Sequence, residues 1–581
     1  MPYAAPLDDM RLAIEAVAPL DGLVEPDLAD AILDEAAKFA AGALDPLNQP
    51  ADRVGSVLEN GVVHTPPGFR EAYRAYAEAG WAGLHSDPEH GGQGLPLSLA
   101  AAVVEMWNSA CMSWALCPLL TFGAIELLQA HGSPAQKALY LAKMVSGEWT
   151  GTMNLTEPQA GSDLGALRTR AVPAEDDRWG QHYRISGQKI FITYGDHDLA
   201  DNIVHMVLAR TPDAPPGSRG ISLFVVPKFL PDGDGRPGER NDLRPLRLEE
   251  KLGIHASPTC VMSYGEGEGA IGWRIGEENR GLEAMFTMMN SERLLVGVQG
   301  VAIAERAYQQ ARDYALTRVQ GQPVGMPRDK GAVAIVHHPD VRRMLLHMRA
   351  ATEAMRALTY FAAAAVDMSR RETGQAQFRA QRRADLLIPV VKAWCTDLGI
   401  EVASLGVQVH GGMGYIEDTG AAQHYRDARI APIYEGTNGI QANDLVGRKL
   451  GRDGGAAARD LFADMRASLG EFSGNADWVG VSGPLAAGLD ALEQATAQLV
   501  AADPAQAAAG SAPYLALFGT VAGGWLLART ALAAARRGDA RAAAKRATAQ
   551  FYAEHFLARA PAYLPAITGG ATVVGFPADW L

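Results

Sequence analysis

Apolar residues recur at every third or fourth position in the first part of the chain, a spacing that is typical of amphipathic helices. After Asp27 this spacing is followed by Ala31, Leu33, Ala36, Ala37 and Ala40. The pattern extends to about Val145 and is interrupted by a glycine-rich loop at residues 90–94. It predicts an N-terminal helical domain over residues 1–148.

The periodicity changes in the next part of the chain, between about Trp149 and Ile275. Runs rich in β-branched and aromatic residues alternate there with clusters of glycine, proline and aspartate. These runs are Tyr183–Thr193, Ile203–Leu208 and Ile221–Val226. They predict a middle β domain over residues 149–275.

Helical spacing returns from Gly281 onward and predicts two further domains. Its segments are Arg293–Thr317, Val341–Met368, Ala384–Val409 and Asn438–Leu450. They predict an antiparallel four-helix bundle over residues 276–452. An alanine-rich helical region follows a glycine-rich break and predicts an extra helical domain over residues 453–581. The predicted fold class is therefore α+β.

The composition is that of a large soluble globular protein and excludes collagen-like, low-complexity and disordered classes. The 581 residues include 52 basic and 66 acidic ones, which gives a formal charge of −14, and 48% are hydrophobic. The four scattered cysteines form no CxxC motif, so we expect a reduced, cytoplasmic protein without a metal site. The acidic start around Asp8, Asp9 and Glu15 is unlike a secretory signal.

The last predicted domain contains one apolar and one basic segment. The charge-free stretch Pro504–Ala528 is mostly alanine and glycine, so it predicts a packed helix, not a membrane span. Gly519 and Gly523 would let a neighbour approach closely. The basic residues are Arg536, Arg537, Arg541, Lys545 and Arg546. Because the region from Asp453 holds nine basic and eleven acidic residues, a solvated helix face is favoured over a nucleic-acid patch.

Two segments near the start of the β domain have the residues of a ligand site. The turn Met153–Asp163 can offer backbone N–H groups and the hydroxyls of Thr156 and Ser162 to an anionic or heteroaromatic ligand. The period of two places Phe191 and Thr193 on one face of a strand, which suits a flat cofactor. Taken alone, each segment is also explained as a connecting turn or an ordinary core strand.

Glu435 lies between an apolar stretch and Gly436, just before a predicted helix. A partly desolvated carboxylate has a raised pKa and is a competent general base. The alternative is a glutamate stabilised by the dipole at a helix N-terminus.

Further candidates lie at the ends of two predicted helices. Arg318 can meet a phosphate bidentately, although a solvated arginine at a helix end is the simpler interpretation. The glycine-rich turn after Gln408 lacks the strand-before, helix-after setting of a dinucleotide fingerprint. His410 in this turn is interpreted as structural, and no metal set is evident.

The order and spacing of these motifs resemble the acyl-CoA dehydrogenase family from Asp27 to Gly451. The residues that carry the resemblance are Thr156-Glu157-Pro158, Gly161-Ser162-Asp163, Gly187-Gln188-Lys189, Ile192-Thr193, Arg293, Arg318, Gln408, Gly411-Gly412, Gly414 and Ile433-Tyr434-Glu435-Gly436-Thr437. The start of the chain and the extra C-terminal domain are similar to a longer bacterial subfamily. That subfamily includes enzymes of dimethylsulfoniopropionate breakdown, which act on 3-methylthiopropanoyl-CoA, and enzymes for ordinary fatty acyl-CoAs.

The resemblance implies FAD lodged between the β domain and the second helical domain. The implied contacts to the isoalloxazine are Met153, Leu155 and Thr156, with Phe191 and Thr193 on its other side. Gly161 and Ser162 would contact the cofactor or the CoA, and Thr437 would also contact FAD. The pyrophosphate or adenosine end would be bound across a subunit interface by Arg318, Gln408 and Gly412. The implied substrate contacts are Ser162, Arg293 and Gly436. Two departures affect these contacts: Gln320-Gly321-Gln322 replaces a usual aromatic, and Gly439 replaces a common polar adenine contact.

The resemblance also implies the reaction. Glu435 would take the α-proton of an acyl-CoA thioester. The Glu435 N–H and a flavin ribityl hydroxyl would stabilise the enolate. The β-hydrogen would leave as hydride to the flavin, which gives the trans-2-enoyl-CoA. An electron-transfer flavoprotein is the expected acceptor, and a homodimer is favoured. The alternatives are a straight-chain fatty acyl-CoA dehydrogenase, an acyl-CoA oxidase that reduces oxygen, and a flavin-containing DNA-associated protein of the same fold.

Overall fold

The computed structural model describes residues 2–177, 180–325, 327, 331–473 and 476–580. The chain forms two compact units. The helical unit consists of Met1–Lys38, Pro96–Ser109 and Arg293–Leu581, and the sheet unit consists of Phe39–Leu95 and Ala110–Glu292. These units follow packing and not chain order, so the division into four successive domains stays a prediction.

Helices lie before and after the strand-rich region, up to Val145 and again from Gly281, as the apolar spacing predicts. They are α1 Leu7–Val17, α2 Pro26–Phe39, α3 Asp45–Val54, α4 Phe69–Glu78, α5 Leu97–His131, α6 Pro134–Val145, α7 Gly281–Thr317, α8 Pro339–Arg371, α9 Gly374–His410, α10 Ala421–Ala428, α11 Asn438–Asn443, α12 Gly451–Asp453, α13 Ala456–Ser473, α14 Val479–Ala501, α15 Pro504–Ala509, α16 Ser511–Arg536, α17 Ala542–His555, α18 Leu564–Thr568 and α19 Gly570–Gly575. The π-helical segments Ala40–Leu44 and Asp444–Leu450 join some of them. Helix α5 is broken at Cys111, where φ is −155° and ψ is 88°.

The strands lie in the sheet unit, and their presence with the helices confirms the α+β fold class. They are β1 Val57–Glu59, β2 Val62–His64, β3 Trp149–Asn154, β4 Arg170–Asp177, β5 Gly180–Thr193, β6 Asn202–Ala209, β7 Ser222–Pro227, β8 Phe229–Pro231, β9 Pro237–Arg240, β10 Leu243–Leu248, β11 Thr259–Tyr264 and β12 Ala270–Ile275. The main sheet has the order β10-β11-β5-β12-β7-β6-β3, with β4 paired to β5. Strands β3 and β6 pair in parallel, and the other pairs of this sheet are antiparallel.

Strands β6 and β7 are buried along their whole length, because both faces of the sheet are covered. Alternate residues of β6 enter different apolar clusters. Met206 and Leu208 pack in a cluster that includes residues of α5, α6 and α7. Val207 and Ala209 pack on the opposite face. The core of the sheet unit is thus a sheet between two apolar layers, and it gives β3 and β5 a rigid support.

Helix α16 confirms the prediction of a packed helix in the charge-free stretch. A Cβ added at Gly519 would lie 2.2 Å from Cγ of Trp394 in α9, and one at Gly523 would lie 2.5 Å from the same indole. Helices α5 and α16 are long and apolar enough to cross a membrane, but 94% and 83% of their apolar windows are buried inside the protein. Such burial is typical of core helices of a soluble protein.

The basic cluster at residues 536–546 is neutralised by carboxylates within the helical unit. The pairs are Arg536 with Glu471, Arg537 with Glu15, Arg541 with Asp8, Asp9 and Asp539, Lys545 with Asp9 and Glu353, and Arg546 with Asp477. The predicted solvated face is wrong for Lys545, whose side chain is buried between its two carboxylates. These pairs hold α1 and α17 to their neighbours, and each of the five basic residues has at least one carboxylate partner.

Candidate active site

The turn after β3 is anchored by the buried carboxylate of Glu157. This carboxylate accepts hydrogen bonds from the Arg168 N–H at 2.6 Å, the Thr169 N–H at 3.0 Å and the Thr169 hydroxyl at 2.6 Å. The Lys189 ammonium of β5 donates to it at 2.9 Å, and the Gln159 amide donates at 2.6 Å. The turn is therefore fixed to β5 through one buried ion pair.

The electrostatics of this pair follow from burial and contact. Burial by itself raises the pKa of Glu157, but the Lys189 charge and the hydrogen bonds from Thr169 and Arg168 outweigh it and lower the pKa to about 2. Burial lowers the pKa of Lys189 to about 8, although Glu157 counteracts this effect. The pair remains charged at neutral pH.

The predicted flavin residues of the turn lie beside this anchor. The Lys189 ammonium also donates to the Leu155 carbonyl at 3.0 Å, and the Ile190 N–H donates to the Thr156 carbonyl at 2.9 Å. Met153, the last residue but one of β3, and Thr156 are half-buried. The exposed glycine at position 161 has open space where a Cβ would point, and its neighbour Ser162 is exposed as well.

Strand β5 contains a bulge next to the predicted flavin residues. Cys260 and Met262 of β11 pair with Ile192 and Lys189, so one extra residue of β5 lies between these two pairs. Phe191 in this bulge has a φ of +61° and is 60% exposed. The strict alternation expected from the sequence fails here because of the bulge. The result is an aromatic ring held out of the sheet on a strained backbone.

Thr193, the other predicted residue of this strand, is half-buried at the end of β5. Its carbonyl accepts the hydroxyl of Thr152 of β3 at 2.7 Å. The ends of β3 and β5 are thereby joined. The sheet unit thus brings Met153, Leu155, Thr156 and Thr193 to neighbouring strand ends.

In the helical unit, the predicted base lies in a tight loop between α10 and α11. Glu435 has a φ of +57° and Gly436 a φ of +83°, so two successive residues are left-handed. This conformation is costly for a glutamate and persists only where surrounding contacts impose it. A Cβ at Gly436 would lie 2.8 Å from Nε2 of Gln441. A side chain at position 436 would therefore be strained by the backbone and would crowd Gln441.

Three side chains hold this loop by its carbonyl oxygens. Nε of Arg293 donates to the Glu435 carbonyl at 3.2 Å, and Nε2 of Gln441 donates to the Glu435 and Gly436 carbonyls at 3.2 and 3.1 Å. The Lys392 ammonium donates to the Gly436 carbonyl at 2.9 Å. Arg293, predicted to bind substrate, is buried in this clamp; its role in CoA binding stays a prediction.

The residues on either side of the base are also tied to the helical core. The Tyr434 hydroxyl donates to the buried Gln299 of α7, whose amide donates to Asn108 of α5 at 3.1 Å. The Thr437 hydroxyl caps α11 by accepting the Ile440 N–H at 3.4 Å. The predicted helix start after Glu435 is thus present, and Thr437, not Glu435, is its cap.

Arg318, Gln408 and Gly412 are brought to one end of the helical unit. Tyr314 of α7 stacks on His410 of α9 with ring centroids 4.4 Å apart, which joins the C-terminal ends of the two helices. Nδ1 of His410 donates to the Gly406 carbonyl at 2.7 Å, in agreement with a structural role. Arg318, Gln408 and Gly412 are exposed, and within the described part of the chain neither polar side chain has a hydrogen-bond partner.

Each unit contains residues that suit part of FAD. In the sheet unit, the exposed ring of Phe191 and the half-buried Met153 offer apolar surface for a flat ring system. In the helical unit, a Cβ at Gly412 would meet nothing within 4 Å, and the guanidinium of Arg318 suits a phosphate. Among the described residues there is no group of three or more His, Cys, Asp or Glu side chains that could hold a metal ion.

Three side chains that hold these segments, Lys189, Lys392 and Gln441, have no role assigned from the sequence. Lys189 appears only as part of a motif, and its partner Glu157 lies 32 positions away. For Lys392 the sequence does contain one signal of a special role. This lysine is the single charged residue in the otherwise apolar run from Leu386 to Cys395 of α9.

Family models match four successive parts of the chain. The model "Acyl-CoA dehydrogenase, N-terminal domain" matches residues 27–148, the middle domain 152–265 and the C-terminal domain 279–450. The model "Acetyl-CoA dehydrogenase C-terminal like" matches residues 461–575. Together these matches cover most of the chain.

Comparison with individual proteins points to the same family as the models. The chain is 51% identical to 3-methylmercaptopropionyl-CoA dehydrogenase of Ruegeria pomeroyi, over 98% of each chain. It is 35% identical to the broad-specificity linear acyl-CoA dehydrogenase FadE5 of Mycobacterium tuberculosis, over 92% of this chain and 91% of that one. The solved structure of Caenorhabditis elegans ACDH-11 in complex with C11-CoA has the same fold, with a TM-score of 0.78 at 22% identity over 99% of this chain and 95% of that one.

The order of helical and β regions, the motifs and these near full-length matches all agree. The chain belongs to the acyl-CoA dehydrogenase family of FAD-dependent enzymes.

Proposed function

We propose that this acyl-CoA dehydrogenase converts 3-methylthiopropanoyl-CoA to its trans-2-enoyl thioester, with Glu435 as the catalytic base. The observation that carries the role of Glu435 is its loop, in which the base and Gly436 are both left-handed and three side chains hold their carbonyls. Such over-determined strain is typical of active sites.

Glu435 acts on the hydrogen next to the thioester carbonyl. Its ionised carboxylate takes the α-proton, and the electron pair of that C–H bond forms the enolate double bond. The Glu435 N–H donates to the thioester oxygen and stabilises the charge that develops there. Bound FAD would supply the two-electron oxidation, as the acceptor for the β-hydrogen and its electron pair.

The cofactor residues are proposed unit by unit. In the sheet unit, Met153, Leu155, Thr156, Phe191 and Thr193 contact the isoalloxazine, while Gly161 and Ser162 contact the cofactor or CoA. In the helical unit, Thr437 contacts FAD, Gly436 and Arg293 contact substrate, and Arg318, Gln408 and Gly412 bind the pyrophosphate or adenosine end of FAD in a second copy. Exposed apolar side chains beside the last group, Met413, Tyr415 and Ile416, support a homodimer contact there.

The substrate proposal rests on the 51% identity to the Ruegeria pomeroyi enzyme over 98% of both chains. A straight-chain acyl-CoA is the competing substrate, and a relative that is 35% identical is named for linear acyl-CoAs. We further propose a cytoplasmic enzyme that passes its electrons to an electron-transfer flavoprotein.

Anaerobic bleaching of the flavin absorbance tests the catalytic base. Glu435→Gln is expected to keep FAD and bind acyl-CoA but to reduce its flavin roughly 10³-fold more slowly. The control is Glu554→Gln, the same change at an exposed residue of the helical unit, which is expected to retain the normal rate. Normal flavin reduction by Glu435→Gln refutes the assignment.

A panel of thioesters tests the substrate. The fastest bleaching is expected with 3-methylthiopropanoyl-CoA, and a faster straight-chain substrate would replace it in the proposal. Air-exposed turnover without an electron-transfer flavoprotein is expected to release little peroxide. Rapid stoichiometric peroxide would identify an acyl-CoA oxidase instead.

A further inference from the structure

Lys392 is a buried lysine of α9 that none of the roles above assigns to catalysis. Its side chain has no exposed surface. Its ammonium is 2.9 Å from the Gly436 carbonyl and 2.9 Å from Oδ1 of Asn438. These two acceptors follow the proposed base by one and three positions. One cation therefore binds the chain just after Glu435 at two points.

Asn438 extends this attachment along α9. Its Nδ2 donates to the Ala393 carbonyl at 3.1 Å, the Thr396 hydroxyl at 2.9 Å and the Asp397 carboxylate at 2.7 Å. Every polar atom of the Asn438 side chain is thus engaged by α9. Lys392 supplies the contact that joins this side chain to the left-handed backbone at Gly436.

The charges around Lys392 include the proposed base. Burial lowers the pKa of Lys392 to about 7, while the negative charges of Glu435 and Asp397 raise it and that of Arg293 lowers it. The attraction between Lys392 and Glu435 is mutual and is strongest when the carboxylate is ionised. However, the ammonium donates its hydrogen bonds to the neutral oxygens of Gly436 and Asn438, not to this carboxylate.

We propose that Lys392 is a positioning residue for proton abstraction, because its ammonium fixes the Gly436 carbonyl and the Asn438 side chain and so sets where the Glu435 carboxylate points. This inference rests on the proposed role of Glu435. A base misplaced by about 1 Å costs a reaction about 100-fold in rate. Loss of Lys392 should therefore slow the chemical step far more than it weakens substrate binding.

The test is the anaerobic rate of flavin reduction, measured over a range of 3-methylthiopropanoyl-CoA and straight-chain acyl-CoA concentrations. Lys392→Met keeps most of the length of the side chain and removes its charge and donors. Its limiting reduction rate is expected to fall about 100-fold, with less than about a threefold change in the acyl-CoA dissociation constant. The α-deuterium isotope effect should rise relative to the β-deuterium effect, since proton removal becomes more rate-limiting.

Lys545→Met is the matched control, because Lys545 is equally buried in the helical unit but pairs with Asp9 and Glu353. It is expected to lower the melting temperature and to leave the limiting rate and both isotope effects unchanged. If Lys392→Met does not fold, Lys392→Gln is measured instead. This variant keeps a hydrogen-bond donor without the charge, and its limiting rate of flavin reduction is expected to fall at least about tenfold.

A folded, FAD-loaded Lys392 variant with a normal limiting rate or unchanged isotope effects overturns the inference. That result is distinct from failure of the proposed function. If the unaltered enzyme is not reduced by any acyl-CoA, or if Glu435→Gln is reduced normally, the role of Glu435 itself is wrong.

Discussion

Two buried lysines, Lys189 in the sheet unit and Lys392 in the helical unit, hold backbone carbonyls next to predicted site residues. Lys189 binds the Leu155 carbonyl at 3.0 Å and the Glu157 carboxylate at 2.9 Å. Lys392 binds the Gly436 carbonyl and the Asn438 amide oxygen, each at 2.9 Å. The first lysine contacts a carboxylate, and the second contacts only neutral oxygens among the described residues.

This difference between the two lysines suits their different roles, which are to anchor a turn and to hold the loop of a catalytic base. The contact with Lys189 and the other hydrogen bonds lower the pKa of Glu157 to about 2, a value at which a carboxylate is a poor proton acceptor. Glu157 is therefore a structural anchor. A catalytic base next to a lysine has to avoid such a contact, and Lys392 does so by binding the backbone after Glu435. Lys392 thus holds the chain next to the base without a direct hydrogen bond to the Glu435 carboxylate.

The largest expected effect comes from breaking the sheet-unit pair. Lys189→Met leaves the Glu157 carboxylate buried without its cation, which costs about 3–5 kcal/mol of unfolding free energy. Denaturant unfolding measures this loss. The double variant Lys189→Met/Glu157→Gln is expected to recover part of it, since no charge then stays buried. A single variant as stable as the unaltered protein would contradict the anchoring role.

The same pair predicts a pH dependence of stability. Because the pKa of Glu157 is lowered from 4.5 to about 2 in the folded protein, its stabilisation is complete above about pH 4.5 and is lost as the pH falls toward 2. The full contribution is about 3 kcal/mol. Unfolding curves of the unaltered protein and Glu157→Gln should therefore converge on acidification. A constant difference between them from pH 6 to pH 3 would assign the stabilisation to something other than the ionised carboxylate.

The sequence predicts the helices, the strands and the base, but not the contacts that Lys392 and the Phe191 bulge depend on. Helical spacing and β-rich runs predict the helices and strands, and the motif around Glu435 predicts the base by resemblance. The contact between Lys392 and Gly436 joins positions 44 residues apart, and only the packing of α9 against the loop creates it. The bulge at Phe191 is likewise set by pairing with β11, so alternation along β5 alone could not predict it.

A smaller effect is expected from the loop that Lys392 holds. Gly436→Ala places a Cβ 2.8 Å from Gln441 at a φ of +83°, and we expect a loss of about 1–3 kcal/mol of stability together with slower flavin reduction. Gly439→Ala is the control, since its Cβ would meet only the Thr437 hydroxyl oxygen at 3.9 Å. That variant should be neutral or more stable by up to about 1 kcal/mol. Equal effects of the two alanines would show that the loop tolerates other backbone conformations.

The smallest effect concerns Thr437, which lies between the two residues that Lys392 binds. Because Lys392 and Asn438 already fix this segment, Thr437→Ala should cost only about 1 kcal/mol through loss of the α11 cap. If its hydroxyl also contacts FAD, the FAD dissociation constant should rise about fivefold, the value of one hydrogen bond. Reconstitution of the apoprotein with FAD measures this constant, and Thr437→Ser should restore both properties. An alanine variant with unchanged FAD affinity would confine Thr437 to helix capping. A much larger loss of stability would mean that the Lys392 and Asn438 contacts do not fix this segment.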